Sequence, residues 1–105
     1  MIGINTSAAN EDVKALKVLF SEDALIVHLD DGRTVSVPIT WYPRLLAGTQ
    51  AERLRFELIG DGEGIHWPDL DEDISVEGIL AGRRSAESGA SLARWMSQRK
   101  EIQTS

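Results

Sequence analysis

Residues 13–38 alternate apolar and polar side chains around two sharp turns, and this stretch constrains the fold more than any other. It reads VKALKVLFSEDALIVHLDDGRTVSVP. Alternation with a period of two is typical of strands that bury one face. In the first strand this alternation places Leu16, Val18 and Phe20 on the inner face. The predicted strands, which form an antiparallel meander, lie near 13–20, 24–29 and 34–38.

The second turn of this stretch, DDGR, fixes how its two strands pair. A loop of two residues would set Val27 opposite Ser36 and place the apolar faces of the two strands on opposite sides. A loop of three residues, with Gly32 in the left-handed conformation, pairs Val27 with Val35. Because a shift of one residue moves every side chain to the other face, the apolar pattern favours the three-residue loop.

The rest of the chain mixes short helices with one further hairpin, so the predicted fold class is α+β. Thr49 and Glu52 have the spacing of a capping box, which is typical of a helix start. A stripe of Leu92, Trp95, Met96 and Ile102 follows the period of an amphipathic helix. The predicted elements are helices near 41–47, 50–55 and 75–81, a β-hairpin near 56–67 and a C-terminal amphipathic helix near 90–101. We expect one α+β domain over residues 1–82 and a basic, partly flexible helical tail over residues 83–105.

The composition excludes several classes of protein. The 105 residues contain no cysteine, which rules out a disulfide framework, a thiolate nucleophile and a cysteine-ligated metal. We find no secretion signal and no membrane-spanning segment, and we expect a cytoplasmic protein. The net charge is −6, and eight acidic residues but no lysine or arginine lie between Phe56 and Gly82. An acidic body repels nucleic acid, so only the basic tail could bind it.

Several unusual clusters occur in a fixed order along residues 13–82. They are DGR at 31–33, WYPRL at 41–45, IHWP at 65–68 and DED at 71–73. Their order and spacing resemble the domain of unknown function 2442 family of small bacterial proteins. The resemblance implies an α+β fold with a small antiparallel sheet. It also implies a gene encoded beside that of another small protein, as in toxin–antitoxin pairs. Some members of the family carry an added helix-turn-helix domain. The sequence of this chain contains no second helical domain of that size.

The stretch around His66 raises the question of a metal or acid/base site. Asp69, Asp71 and Asp73 alternate like the first ligands of a calcium loop, but the glycine and glutamate that such a loop needs are missing. His66 beside these carboxylates could act as a general base, yet no nucleophile or oxyanion motif accompanies it. We therefore expect no catalytic residue, metal or cofactor. The structural interpretation is that these acids occupy the first turn of the helix near 75–81, with Trp67 packed inward.

Two aromatic clusters and the acidic run are the candidate partner interface. Adjacent Trp41 and Tyr42 cannot both point into one small core, so one of them should be partly exposed, with Arg44 at its rim. The tail stripe could dock on its own body, on a second copy in a homodimer, or on a partner. The candidate interface residues are Trp41, Tyr42, Arg44, Asp71, Glu72, Asp73, Trp95 and Met96.

These features predict a non-enzymatic protein-interaction module, and the family resemblance implies that it is an antitoxin-like one that binds a small basic protein partner. The acidic residues 57–77 would steer association, and the aromatic side chains would supply the buried contacts. Two alternatives stay open. One is a metal-dependent or acid/base hydrolytic enzyme that uses His66 with Asp69, Asp71 and Asp73; the other is a DNA-associated regulator that acts through the basic tail.

Overall fold

A three-stranded antiparallel sheet, with strand order β1-β2-β3, forms the first half of the fold. The computed structural model describes the backbone of residues 13–104 and the side chains of residues 13–99. Residues 1–12 and the side chain of Ile102 therefore lie outside the described part. The first-sheet strands are β1 (Ala15–Phe20), β2 (Ala24–Leu29) and β3 (Thr34–Pro38).

The β2–β3 hairpin has the predicted three-residue loop. Val27 pairs with Val35, Leu25 pairs with Val37, and Gly32 has φ of +94°. This register directs the apolar side chains of both strands to one face. It also leaves His28 on the outer face, where its Nδ1 lies 3.2 Å from the hydroxyl of Thr34.

The predicted inward position of Leu16 is wrong. The pairing of β1 with β2 shifts between Ala15 and Lys17, which makes Leu16 the extra residue of a β-bulge. Ala15 is buried in its place, and Leu16 is 64% exposed. A bulge reverses the alternation on one side of itself, so simple period-two counting fails at this point.

A second antiparallel sheet, with order β4-β5-β6, forms the other half of the fold. The predicted hairpin is present as β4 and β5, and a third strand follows it. Glu72 and Asp73 belong to this third strand, so their predicted place in the first turn of a helix is wrong. The strands are β4 (Glu57–Ile59), β5 (Gly64–Trp67) and β6 (Glu72–Ser75).

The short helices begin at side chains suited to that position. Thr49 and Glu52 form the predicted capping box, and the Ser75 hydroxyl accepts a hydrogen bond from the Gly78 amide at 2.9 Å. Pro43 starts the first helix after a turn of 3₁₀ helix over Ile39–Trp41. The helices are α1 (Pro43–Ala47), α2 (Gln50–Leu54), α3 (Val76–Leu80) and α4 (Gly89–Thr104).

One apolar core joins both sheets with α1 and α3. Trp67 lies at its centre, fully buried, as the sequence predicts. Its ring packs edge-on to Phe20 at 6.2 Å and against Phe56 at 6.4 Å, while its indole nitrogen donates to the Arg53 carbonyl at 3.0 Å. Within residues 13–104, the helices are all too short or too polar to cross a bilayer.

Candidate functional site: the body–tail junction and the acidic second sheet

Arg44 is the centre of the contact between the body and the tail. It extends from α1, and its guanidinium binds the Glu87 carboxylate with the closest atoms 2.5 Å apart. Nη1 also donates to the Asp71 carbonyl at 3.1 Å. The bond from Arg44 holds the pKa of Glu87 below its usual value. Arg44 therefore ties α1 to the turn before β6 and to the segment that leads into α4.

The ring of Trp95 in α4 contacts two guanidinium groups. The Arg44 and Arg99 guanidinium carbons are 4.9 Å and 4.7 Å from its ring centroid, within the range of cation–π attraction. Arg99 in turn donates to both carboxylate oxygens of Glu52, at 2.8 Å and 3.1 Å. We call the set Arg44, Glu52, Glu87, Trp95 and Arg99 the body–tail junction.

Glu52 has two roles at this junction. Its carboxylate accepts a hydrogen bond from the Thr49 amide at 2.8 Å, which completes the cap of α2, and it pairs with Arg99. The bond from Arg99 is the main reason that the pKa of Glu52 falls to about 2. The sequence identifies Glu52 as a cap, but no local pattern connects it with an arginine 47 residues away.

Trp41 and Tyr42 hold the segment that connects α3 with α4. Tyr42 is buried, and its hydroxyl donates to the Arg83 carbonyl at 3.3 Å. Trp41 is half-buried, as one of the two aromatics was predicted to be, and its ring lies 4.9 Å from the Arg84 guanidinium. The WYPRL cluster thus contacts the residues that lead into the tail.

The three acids of the DED run point to different places. Asp71 has φ of +50° and a side chain that is 86% exposed on the Arg44 side. Glu72 is half-buried in a cleft of about 270 Å³ that Tyr42, Arg83 and Arg84 also line, and burial raises its pKa. Asp73 lies on the outer face of the second sheet, 72% exposed. These carboxylates therefore do not converge on one site.

His66 lies in a row of three ionisable side chains across the second sheet. The strand register places Glu57 and Asp73 on either side of it, and Asp73 forms a short hydrogen bond with its Nδ1. That bond, with smaller help from Glu57, raises the pKa of His66. Glu57 was missed, although pairing the predicted hairpin around its GDGEG turn would have set it opposite His66.

The other two carboxylates of the predicted His66 group point elsewhere. Asp69 pairs with Arg55 at 3.2 Å, and Asp71 lies beside Arg44. Residues 13–99 contain no group of three or more metal-ligating side chains that could hold an ion. Of the predicted acids, the fold brings only Asp73 to His66.

Among the predicted tail contacts, Trp95 is half-buried at the junction, whereas Met96 is 46% exposed. Leu92 is also half-buried. The tail thus docks on its own body in this chain, chiefly through charged and aromatic side chains.

The outer face of the second sheet has a depression at Gly64, where a side chain is missing. We call Ile59, Glu63, Gly64, Asp73 and Ser75 the second-sheet face; they line a shallow depression of about 480 Å³ that is open to solvent. Ile59 supplies an apolar wall that is 46% exposed, and the carboxylates of Glu63 and Asp73 lie at the rim. This arrangement suits a side chain with an apolar stem and a positive end.

Comparison with known proteins establishes the family. A family model described as protein of unknown function (DUF2442) matches residues 15–85. The chain belongs to this family. Its fold is similar to that of a protein of unknown function from Rhodospirillum rubrum, with 28% identity and a TM-score of 0.64 over 72% of this chain and 94% of that one.

An uncharacterised protein from Chromobacterium violaceum, CV0863, is similar as well, with 21% identity and a TM-score of 0.63. That similarity covers 90% of this chain and 83% of that chain. A search of curated proteins finds no match. The family and its fold are thereby shown.

Proposed function

We propose that this protein is a non-enzymatic protein-interaction module, antitoxin-like, whose partner is a small basic protein. The observation that carries the proposal is the second-sheet face, an exposed depression with an apolar wall and an acidic rim. It belongs to a stretch from Phe56 to Gly82 that contains eight acidic residues and no lysine or arginine.

The exposed acids on and beyond this face favour association with a basic partner. Asp71, Asp73 and Glu77 are at least 72% exposed. They lie beside Arg44, His66 and Arg83, but such exposed pairs are weak and leave most of each carboxylate in water. Exposed charges of one sign accelerate the encounter with an oppositely charged partner and contribute less to the final affinity. The depression at Gly64 would then supply the buried contact, with Ile59 against the stem of a lysine or arginine.

Capture from the native host tests this proposal. We expect the tagged full-length chain to recover one small basic protein in stoichiometric amount. The variant Asp71→Asn/Asp73→Asn/Glu77→Gln should recover much less of it. Purified components should associate more slowly with this variant at low salt, and added salt should reduce the difference.

A matched control removes the same amount of charge from the first sheet. Glu22, Asp23 and Asp30 are exposed acids at its turns. The variant Glu22→Gln/Asp23→Asn/Asp30→Asn should capture the partner as the unchanged chain does. Equal loss with both variants would mean that only net charge matters, and recovery of no partner at all would refute the proposal.

A further inference from the structure

The open edges of the two sheets lie side by side on one side of the molecule. β1 is an outer strand of the first sheet and β4 is an outer strand of the second. At one end, Gly62, just after β4, is packed so tightly on β1 that an added Cβ would lie 2.5 Å from the Ala15 carbonyl. At the other end, Phe20 of β1 and Phe56, just before β4, contact the same ring of Trp67. The two strands thus run past each other in opposite directions without being hydrogen-bonded into one sheet.

Exposed apolar side chains concentrate along these edges. The residues on or next to the two strands are Leu16 (64% exposed), Leu19 (37%), Leu54 (60%), Leu58 (40%) and Ile59 (46%). Within the described part of the chain, the other large apolar side chains that are exposed are Leu46 and Met96, on α1 and α4. The bulge that turns Leu16 outward adds to this concentration. We call the surface formed by β1, β4 and these five side chains the edge seam.

The seam has a basic side and an acidic side. Lys14 and Lys17 lie on the β1 side, whereas Glu57, Asp61 and Glu63 lie on the β4 side. Among residues 13–99, none of these five side chains takes part in an ion pair. Basic residues thus accompany the exposed apolar side chains of β1, and acidic residues accompany those of β4, where Glu57 also lies beside His66.

We propose that the edge seam is the surface through which two copies of this chain form a dimer. A two-fold axis parallel to the strands sets β1 of each copy across β4 of the other. Because such an interface repeats every contact twice, the basic side of each seam then meets the acidic side of the other. The apolar side chains between them leave water together. Because the seam carries both signs of charge, it is complementary to a second copy of itself. A uniformly basic partner would be repelled by the lysines on the β1 side.

Sedimentation equilibrium on the purified full-length protein tests the dimer without any other partner. We expect a species with twice the mass of one chain that dissociates on dilution and in high salt. Leu16→Asp should raise the dissociation constant at least about tenfold, because the dimer then loses the burial of an apolar side chain at two places and gains two charges there. Leu58→Asp is a second variant with the same expectation. Because both side chains are already exposed, circular dichroism should show that the fold is kept.

Matched controls lie outside the seam. Leu46→Asp and Met96→Asp place the same charge at side chains of similar exposure and should leave the dissociation constant unchanged. A monomer at every concentration would overturn the proposal, and the lysines would then act to keep the edges solvated. A dimer disrupted by Met96→Asp but not by Leu16→Asp would overturn it too, because association would then run through the tail.

Charge reversal tests whether the basic side of one seam meets the acidic side of the other. Lys17→Glu and Asp61→Lys should each weaken the dimer, and the two together should restore at least part of the lost affinity. An effect of the double variant equal to the sum of the single effects would contradict the proposed pairing of opposite sides. The seam shares Ile59 and Glu63 with the second-sheet face, so a dimer would cover part of that face. The two tests remain distinguishable, because that of the proposed function uses Asp71, Asp73 and Glu77 and a partner captured from the host.

Discussion

Among the glycines of the turns, Gly62 is the one that we expect to be hardest to replace. Its φ of +107° is unfavourable for any residue with a side chain, and an added Cβ would meet the backbone of Ala15 at 2.5 Å. This contact fixes the turn after β4 against the start of β1. A glycine is therefore required here for two independent reasons, conformation and space.

Three alanine substitutions separate these reasons. Gly62→Ala should lower the free energy of unfolding by about 2 kcal/mol or more, because the strain at φ adds to a backbone clash. Gly32 has φ of +94° but open space around it, so Gly32→Ala should cost about 1 kcal/mol. Gly89→Ala, with neither constraint, should be neutral or slightly stabilising. Urea denaturation measures all three, and equal losses at Gly62 and Gly32 would refute the steric contribution.

His66 makes the stability of the second sheet depend on pH. The hydrogen bond with Asp73 is the largest cause of its raised pKa, and Glu57 adds a smaller attraction. A histidine with a pKa above the usual 6.5 in the folded state contributes stability that is complete below 6.5. That contribution is lost as the pH rises through the higher, folded-state pKa.

NMR titration of the His66 ring checks this expectation. The folded protein should titrate above 6.5, and Asp73→Asn should lower the pKa more than Glu57→Gln does. Thermal unfolding of the unchanged chain should show the matching loss of stability across the same pH range, and His66→Gln should remove this part of it. A larger effect of Glu57→Gln would show that the cross-strand hydrogen bond is not the main cause.

At the scale of single elements, α4 is the helix whose position depends most on charge. Half-buried Trp95 packs against the edge of the core, and the other contacts of α4 at the body–tail junction are ion pairs and cation–π contacts. Glu52 has a folded pKa of about 2 against an ordinary value of 4.5. A lowered carboxyl pKa gives stability that is complete above 4.5 and is lost as the pH falls toward 2.

We predict that acid or the loss of one carboxylate releases α4 while the body stays folded. Glu52→Gln keeps the capping box, because glutamine serves at that position, and removes only the ion pair with Arg99. It should lower the free energy of opening α4 by about 1–3 kcal/mol, as measured by hydrogen exchange of the α4 amides. Between pH 4.5 and 2, the Trp95 indole resonance should follow the release in the unchanged chain. Asp61→Asn, away from the junction, should change neither measurement.

The elements that sequence reasoning predicts best are those whose partners lie nearby in the chain. The β2–β3 hairpin, with its register, follows from one apolar pattern and one glycine. β6 was missed because its first two residues, Glu72 and Asp73, are both acids, so the apolar alternation of a strand is absent. The turn before it contains Asp71 in the left-handed conformation, and the acidic run is typical of a helix entry. The bulge at Leu16 breaks the alternation on which the inward assignment depended.

The candidate site shows the same limit. Arg44, Trp41 and Tyr42 stand out in the sequence as residue types common at interfaces, and the fold uses them to hold its own tail. The decisive contacts of Arg44 with Glu87 and of Arg99 with Glu52 span 43 and 47 residues. A pattern confined to one helix or one hairpin contains no information about such pairs. Only the packing of α4 on α1 and α2 brings them together.

For the molecule as a whole, Trp67 determines whether the two sheets unfold together. It belongs to β5, yet it packs on Phe20 of the first sheet and hydrogen-bonds to Arg53 at the end of α2. The core that surrounds it is one cluster with members from both sheets. If the second sheet unfolds, the first sheet loses the Trp67 ring against which Phe20 packs. We therefore expect that neither sheet is stable without the other.

Native-state hydrogen exchange tests this cooperativity. We expect the slowest amides of β2 and β5 to open with the same free energy, whereas the amides of α4 open with less. Trp67→Phe removes ring volume and leaves the Arg53 carbonyl without its donor, so it should lower the opening free energy of both sheets equally, by about 2 kcal/mol. Trp95→Phe is the matched change at the body–tail junction and should lower the value for α4 alone. If Trp67→Phe affected β5 and left β2 unchanged, the two sheets would be separate folding units that meet only at their surfaces.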